Sequence, residues 1–479
     1  DLYGKLKGVV WIGMVFAVAG IQGQELFHRA ERQQIVEYWS ADGRYTMGRS
    51  GDLDCAWQPR QTPDGSVWIR EVYKIIQPGK VDPKKDLTGT TPEQRAWTSW
   101  IERRYAADEL WANAECLRLN QGGSDPASGA PAVKPSSRKG EGVTEVSPIP
   151  PPDPLPCPPG LLALVGAPPR LVAPAQPMRH MVVFEEGLTL TYEDHVKVRR
   201  KYAYYRFAEG VMSAGTPVSA LEPNQLNRLA TLAGINLRDL KIMSAVSLLE
   251  GGFDSVNTYD TGFVSVGLIQ FASLVDGRGS LGRLLRSYKQ SQPRAFEDDF
   301  RRFGLEVTDD GFLVAIDPES GQELTGYEAA LAIIRDKRLI AVFQRAGRRE
   351  PFQTAQLRSA YEQFFPANEI LNVSLGGVRQ QVRAGDVFRS EAGLATLMDR
   401  KVNIGNIRDV AGVVESLAAK YGIRDRTRLA DIEHLAVRQL RYRQDFTASR
   451  NLTQPRDTAN ALTSRSGSRA QPVKKRPKK

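Results

Sequence analysis

Hydrophobic positions recur at helical spacing along most of the second half of the chain. Two examples are "NLRDLKIMSAVSLLE", residues 236–250, and "YEAALAIIRDKRLIAVFQRAG", residues 327–347, where apolar residues return every three or four positions. Shorter alternating pieces, such as "HMVVFEEGLTLTYEDH" at residues 180–195, predict strands paired in hairpins. Helix dominates, so the pattern predicts an α+β fold that is mainly helical with a small β-hairpin region.

Changes in composition divide the chain into five predicted segments. An apolar leader covers residues 1–23, and a small α+β unit rich in tryptophan covers residues 24–120. Residues 121–177 are rich in proline and predict an extended linker that cannot build a core. The main domain then spans residues 178–445, and residues 446–479 form a polar, basic tail that we expect to be disordered.

The leader has the layout of a secretory signal peptide. Lys5 and Lys7 precede an apolar run that ends near small residues, and the run is short for a membrane-spanning helix. An uncleaved membrane anchor is the alternative. Both interpretations place the bulk of the chain outside the cytoplasm, either secreted or in the periplasm and cell envelope.

The tryptophan-rich unit ends in a predicted helix over residues 91–120, with Thr91 as N-cap and Pro92 in the first helical position. Its tryptophans predict either a small core or, if exposed, a surface that stacks on sugars. Cys55 and Cys116 predict a disulfide within this unit, worth about 4 kcal/mol in the chain-entropy model. Cys157 lies alone in the proline tract and predicts a free thiol or an intermolecular bond.

The net charge of +10 is modest for 479 residues, but the tail is far more basic than the average. This asymmetry predicts contact with anionic envelope polymers, and nothing indicates nucleic acid specifically. The four histidines are scattered, and no zinc, phosphate-loop or dinucleotide motif is present. We therefore expect no metal and no cofactor.

Residues 247–271 carry the most informative polar pattern, "SLLEGGFDSVNTYDTGFVSVGLIQF". Glu250 ends an apolar helix, where burial and carbonyl dipoles are expected to raise its pKa and keep it protonated. Asp260 lies in a polar turn ten residues later and is expected to stay ionised. Two carboxylates in unlike environments are what acid-base cleavage of a glycosidic bond requires. Asp254 is an alternative second carboxylate, although its context favours a turn.

This arrangement resembles phage-type lysozymes, in which a helix-terminal Glu is followed by an Asp and a Thr on a β-hairpin. Glu250 and Asp260 match the two carboxylates, and Ser265 stands where the Thr would be. The run "SVGLIQF" is similar to the "GLMQ" signature of lytic transglycosylases and goose-type lysozymes, with Gln270 as the matching glutamine.

A second match lies downstream in "LATLMDRKVNIGN", residues 394–406. It resembles the buried helix of lysozyme-like and chitosanase domains, with Asp399, Asn403 and Gly405 at the matching positions. The resemblance covers about residues 236–440 and implies a lysozyme-like domain.

The resemblance implies a secreted glycoside hydrolase that cleaves peptidoglycan or a related amino-sugar polysaccharide. Glu250 would be the general acid, and Asp260 with Ser265 would position water, which gives inversion if the carboxyl groups lie about 6.5–9.5 Å apart. Gln270 would line the cleft, and Tyr259 either stacks on a sugar in a subsite or anchors the hairpin as a core residue. The alternatives are a lytic transglycosylase that uses Glu250 alone, a chitosanase-like enzyme, and a non-catalytic envelope or virion protein.

Overall fold

The computed structural model describes residues 25–48, 56–77, 91–121, 149–150, 155–248 and 250–458. The fold is mixed, with 51% of the described residues helical and 14% in strands, so the α+β class is confirmed. The predicted leader, most of the linker and residues 459–479 lie outside the described residues. In the part that is described, no helix is both long and apolar enough to cross a membrane.

The helices of the described residues are α1 (Arg29–Ser40), α2 (Pro63–Ile76), α3 (Pro92–Asn120), α4 (Pro159–Val165), α5 (Pro223–Ala233), α6 (Leu237–Ser247), α7 (Ser280–Ser291), α8 (Pro293–Asp299), α9 (Tyr327–Arg335), α10 (Lys337–Gly347), α11 (Glu350–Phe364), α12 (Ala384–Val387), α13 (Glu391–Ile404), α14 (Arg408–Lys420) and α15 (Glu433–Leu440). The strands are β1 (Tyr45–Gly48), β2 (Gln58–Gln61), β3 (Val172–Ala175), β4 (Arg179–Val183), β5 (Thr189–Glu193), β6 (Met212–Ser213), β7 (Val256–Asn257), β8 (Ser265–Val266), β9 (Phe271–Ala272), β10 (Leu305–Val307), β11 (Leu313–Ile316), β12 (Glu323–Thr325), β13 (Ile370–Leu375) and β14 (Val378–Arg383).

The strands form small antiparallel sheets instead of one large sheet. Their orders are β1-β4-β5, β10-β11-β12, β6-β7-β8-β9, β13-β14 and β2-β3. Because each sheet is short, the helices provide most of the main core. Two helices at its centre are buried on nearly all sides: every residue of α10 is buried, as are residues 391–400 of α13. A helix buried all round needs neighbours on every face, and α13 packs on α6, α11 and α15.

The main core begins earlier in the chain than the composition predicted. Phe27, Ile35 and Trp39 belong to the same hydrophobic cluster as the main domain. The indole Nε1 of Trp39 donates to the carbonyl oxygen of Phe303 at 3.0 Å, and β1 pairs with β4. Residues 25–48 therefore pack with the main domain and not with the tryptophan-rich unit to which they were predicted to belong.

A second, smaller core forms around α2 and α3 and contains three buried tryptophans, Trp68, Trp97 and Trp100. Their burial favours the interpretation of tryptophan as core and not as an exposed sugar platform. Leu161 of α4 and Leu171 are also fully buried there, and β3 pairs with β2. Residues 155–177 are thus folded, although they were predicted as linker, because their apolar side chains close this core.

The predicted disulfide is not formed at Cys116, which is a buried free thiol on α3. Its predicted partner, Cys55, lies outside the described residues. Cys157 is also a free thiol and is partly exposed. Burial raises the pKa of the Cys116 thiol to about 11, which makes it a weak nucleophile at neutral pH.

The beginning of the predicted tail is packed against the main domain. Phe446 and Leu452 are buried, and the backbone nitrogen of Thr453 donates to the Glu391 carboxylate at 2.7 Å. Residues 446–458 are therefore ordered, in contrast to the predicted boundary of the tail at residue 446.

Candidate functional site

Glu250 lies in a tight turn just after α6. Its backbone nitrogen and that of Gly251 both donate to the carbonyl oxygen of Ser247 at 2.9 Å. The two glycines that follow are required by close packing. A Cβ on Gly252 would lie only 1.8 Å from the carbonyl oxygen of Thr216, and Gly251 has a φ of +145°. The Glu-Gly-Gly run thus lets the chain leave the helix beside residues 214–216, with the Glu250 side chain 12% exposed at the turn.

The carboxylate of Glu250 meets residues that are distant in sequence. The guanidinium of Arg443 forms an ion pair with it, and the Asn403 side-chain amide donates to its Oε1 at 3.5 Å. Asn403 also donates to Asp399, whose carboxylate is almost fully buried. Glu250 therefore belongs to a connected network formed with α13 and with the segment after α15.

Arg443 is anchored mainly on Asp399. Its Nε donates to Asp399 Oδ1 at 2.6 Å, and its backbone nitrogen donates to Oδ2 at 3.2 Å. Burial by itself lowers the pKa of Arg443, but the nearby carboxylates of Glu250 and Asp399 outweigh it, so that the pKa lies above the ordinary value. A guanidinium in contact favours the ionised form of a carboxylate. This contact acts against the sequence-based expectation that Glu250 is held protonated.

Asp260 lies within the connection between β7 and β8, where its backbone forms an isolated bridge with Tyr205. Its Oδ1 accepts from the backbone nitrogen of Gly262 at 2.9 Å, and its Oδ2 accepts from the hydroxyl of Tyr202 at 2.9 Å. Burial raises the pKa of Asp260, and these hydrogen bonds oppose the rise without cancelling it. The turn is therefore less wet than the sequence predicted, because the tyrosine-rich segment before β6 covers Asp260 and burial disfavours its ionised form.

Ser265 and Asp260 lie on either side of Gly262. A Cβ built on Gly262 would lie 2.7 Å from Ser265 Oγ and 3.1 Å from Asp260 Oδ1. Both oxygens therefore border the space that a side chain at this position would fill. The structure thus brings together the second carboxylate and the hydroxyl residue that the sequence predicted as a pair.

Gln270 connects this hairpin to the turn that holds Glu250. Its amide donates to Ser255 Oγ at 2.6 Å and accepts from Asn257 Nδ2 at 2.7 Å. Ser255 in turn packs against Gly251, where an added Cβ would lie 2.6 Å from its Oγ. In this structure Gln270 supports the hairpin next to the Glu250 turn, with a φ of +56° that its hydrogen bonds hold in place.

One face of the four-stranded sheet carries the polar side chains. Paired residues on neighbouring strands share a face, and Asn257 pairs with both Met212 and Ser265. Met212 is 49% exposed, whereas the opposite face carries buried Val256 and Val266. The face with Asn257 and Ser265 therefore points away from Val256 and Val266, although Ser265 itself is only 7% exposed.

Tyr259 does not suit the subsite role predicted for it. Its side chain is 5% exposed, its hydroxyl accepts from Arg199 at 2.9 Å, and its ring packs on Tyr202 at 6.2 Å. It anchors the hairpin. Asp254 is likewise structural: it is buried and accepts from the backbone nitrogen of Thr216 at 2.6 Å.

The end of α13 also borders open space. Gly405, which the sequence matched to the helix motif, has a φ of +85° and ends the helix. With Lys401, Asn406 and Arg408 it lines a surface cavity of about 390 Å³, and Lys401 forms an ion pair with Glu369 at its edge. This cavity is near Asn403 in sequence, but neither Asn403 nor Glu250 nor Arg443 lines it.

Sequence reasoning missed Arg443, Asn257 and Tyr202. Arg443 lies in "RYRQ" among many other arginines, and no spacing relates it to Glu250. Asn257 had a weak signal, because it precedes Asp260 by three residues in the same polar stretch.

Among the described residues, no group of His, Cys, Asp and Glu side chains could hold a metal ion. No protein-family model, curated protein or solved structure matches the chain.

Proposed function

We propose that the chain is a glycoside hydrolase that cleaves peptidoglycan or a related amino-sugar polysaccharide, with a lysozyme-like main domain. The observation that carries this proposal is the network at Glu250. The α13 motif that resembles lysozyme-like domains contains Asp399 and Asn403, and Asn403 donates to Glu250 across 153 positions of sequence. A chance match of a helix motif gives no reason for that contact.

In this proposal Glu250 donates a proton to the glycosidic oxygen. Arg443 stabilises the carboxylate that remains once the proton has left, which is where charge develops during the step. Because Arg443 is held independently by Asp399, its guanidinium stays in place while Glu250 gains or loses its proton. Because the contact with Arg443 favours the ionised form, only a fraction of Glu250 is protonated near neutral pH, and we expect cleavage to become faster as the pH falls and that fraction grows.

Asp260 and Ser265 would hold the attacking water. Their oxygens flank Gly262, which has no side chain to block the space between them. A base must be ionised, and the raised pKa of Asp260 makes it a better proton acceptor once it is ionised. The two carboxylates together predict a bell-shaped dependence of cleavage rate on pH.

A lytic transglycosylase is the second candidate, and one observation favours it. Burial of Asp260 disfavours its ionised form, whereas a transglycosylase requires only the acid, since a hydroxyl of the substrate replaces water. The two enzymes share Glu250 and differ in their products.

Product analysis distinguishes them. The full chain is incubated with purified peptidoglycan, and the released muropeptides are resolved by mass. Products with reducing ends support the hydrolase, and their loss in Asp260→Asn assigns that residue to the water. Anhydro products that persist in Asp260→Asn would replace the hydrolase with the transglycosylase. Release of no fragment at any pH from 4 to 8 would reject both.

A further inference from the structure

An aromatic cluster, half-buried apart from exposed Tyr327, lies directly beside Asp260 and has no role in the chemistry described above. The Phe263 ring contacts Phe207 at 5.1 Å and Tyr327 at 5.9 Å between ring centroids. Tyr327 is 46% exposed at the start of α9. We call these three rings, together with Leu274 and Val275, the Phe263–Tyr327 surface.

This surface continues from the candidate site through backbone hydrogen bonds. The Phe263 nitrogen donates to the carbonyl oxygen of Asp260 at 3.0 Å, and the Leu274 nitrogen donates to that of Gly262 at 3.0 Å. Leu274 and Val275 are 48% and 58% exposed. A ligand that reaches the Asp260–Gly262 turn therefore meets aromatic and apolar side chains next.

The backbone is held in an uncommon conformation to present these residues. Phe263 has a φ of +63° and Leu274 a φ of +58°, in the left-handed region that bulky residues rarely adopt. They are two of only four non-glycine residues with positive φ in the described part of the chain. Such strain persists where the surrounding structure enforces it, and it concentrates at binding and catalytic sites.

We propose that the Phe263–Tyr327 surface is a subsite that binds a pyranose ring of the polysaccharide cleaved beside Asp260. The inference rests on the proposed function and names where that substrate lies. Aromatic side chains offer flat apolar faces, and the hydroxyl of Tyr327 can remain hydrated at the edge. Arg278 stacks on Phe312 at 5.0 Å just beyond the turn and gives the surface a polar border that suits sugar hydroxyls.

The test measures binding by the full chain in a Glu250→Gln background, so that the polysaccharide is not consumed. Purified peptidoglycan sacculi are titrated, and the bound fraction is measured after sedimentation. Tyr327→Ala should weaken binding about fivefold to tenfold, as expected for loss of one stacked ring. Tyr327→Leu should weaken it similarly because an aliphatic side chain has no flat face, and Tyr327→Phe should retain most of the affinity. Val378→Ala, at an exposed position of the β13–β14 hairpin, is the control.

Equal affinity for Tyr327→Ala and the background would overturn the subsite, as would full affinity for Tyr327→Leu. Vesicles of phosphatidylglycerol provide a second arm: vesicle binding that falls with Tyr327→Ala, without an effect on sacculi, would assign the surface to a membrane and overturn the proposal. Failure of the proposed function is recognised separately. A wild-type chain that releases no fragments but binds sacculi in a Tyr327-dependent manner would be a binding protein, whereas cleavage that is indifferent to Tyr327 would reject the subsite alone.

Discussion

The buried contact between Arg443 and Asp399 allows a prediction that does not depend on the proposed function. The Asp399 side chain is 1% exposed, and that of Arg443 is 10% exposed. Removing one partner of a buried pair leaves an uncompensated charge and typically costs about 3–5 kcal/mol. We expect Arg443→Met to cost about 3 kcal/mol, at the lower end, because Glu250 is 12% exposed and Asp399 keeps the hydrogen bond from Asn403.

A double-mutant cycle isolates the contact. Asp399→Asn removes the buried charge, so Arg443→Met should cost less in that background, and the coupling free energy should be about 2 kcal/mol. Urea denaturation of the four proteins at pH 7, followed by tryptophan fluorescence, gives the free energies of unfolding. The exposed pair Arg228–Glu350, at 2.9 Å, is the matched control and should couple by less than about 1 kcal/mol. Coupling below about 0.5 kcal/mol between Arg443 and Asp399 would refute the network described at Glu250.

Three further predictions concern burial. Burial raises the pKa of Asp260 in the folded chain, so the stability that protonated Asp260 contributes is full below the unfolded pKa of about 3.9 and is lost as pH rises through the folded pKa. The free energy of unfolding of Asp260→Asn, measured by urea titration, should therefore increase relative to that of wild type between pH 3 and pH 7. A difference between the two proteins that does not change with pH would contradict this. Trp39→Ala should destabilise the main domain by about 3–5 kcal/mol, whereas unchanged unfolding would return residues 25–48 to a separate unit. With Cys55 and Cys157 replaced by Ser, Cys116 should react with iodoacetamide at pH 8 only after urea unfolds the chain, and rapid labelling of the folded protein would contradict its burial.

Local signals in the sequence predicted several elements well. Thr91 does cap α3, accepting from the backbone nitrogen of Gln94, with Pro92 at the first position. The helix motif at residues 394–406 predicted α13 and its buried setting. Capping and helical periodicity depend on neighbours within a few positions, so one sequence contains the necessary information.

Features that depend on distant partners were not predictable from the same patterns. Each strand of the sheet from β6 to β9 has two residues, too few for an alternating pattern, and β6 joins it from more than 40 positions upstream. Trp39 joins the main core through a contact with Phe303 that composition does not reveal. The segment after residue 155 was read as linker from its prolines, although the leucines between them close a core.

The charges of the candidate site also divide into those that local sequence signals predicted and those that distant segments contribute. The sequence placed Glu250 at a helix end, and it matched Asp399 and Asn403 to a helix motif without relating them to Glu250. It missed Arg443, which reverses the expected electrostatic environment of Glu250, and it missed the tyrosine that covers Asp260. Protonation depends on what surrounds a carboxyl group in space, and that surrounding is contributed by segments far along the chain.

The measurement that tests the account most directly is release of soluble fragments from purified peptidoglycan by the full chain, wild type beside Glu250→Gln. Glu362→Gln, at an exposed position on α11, is the matched control for the same chemical change. The account predicts cleavage by wild type and by the control at mildly acidic pH, and a rate at least about a hundredfold lower for Glu250→Gln. Equal rates for wild type and a folded Glu250→Gln variant would contradict the assignment of Glu250 as the acid.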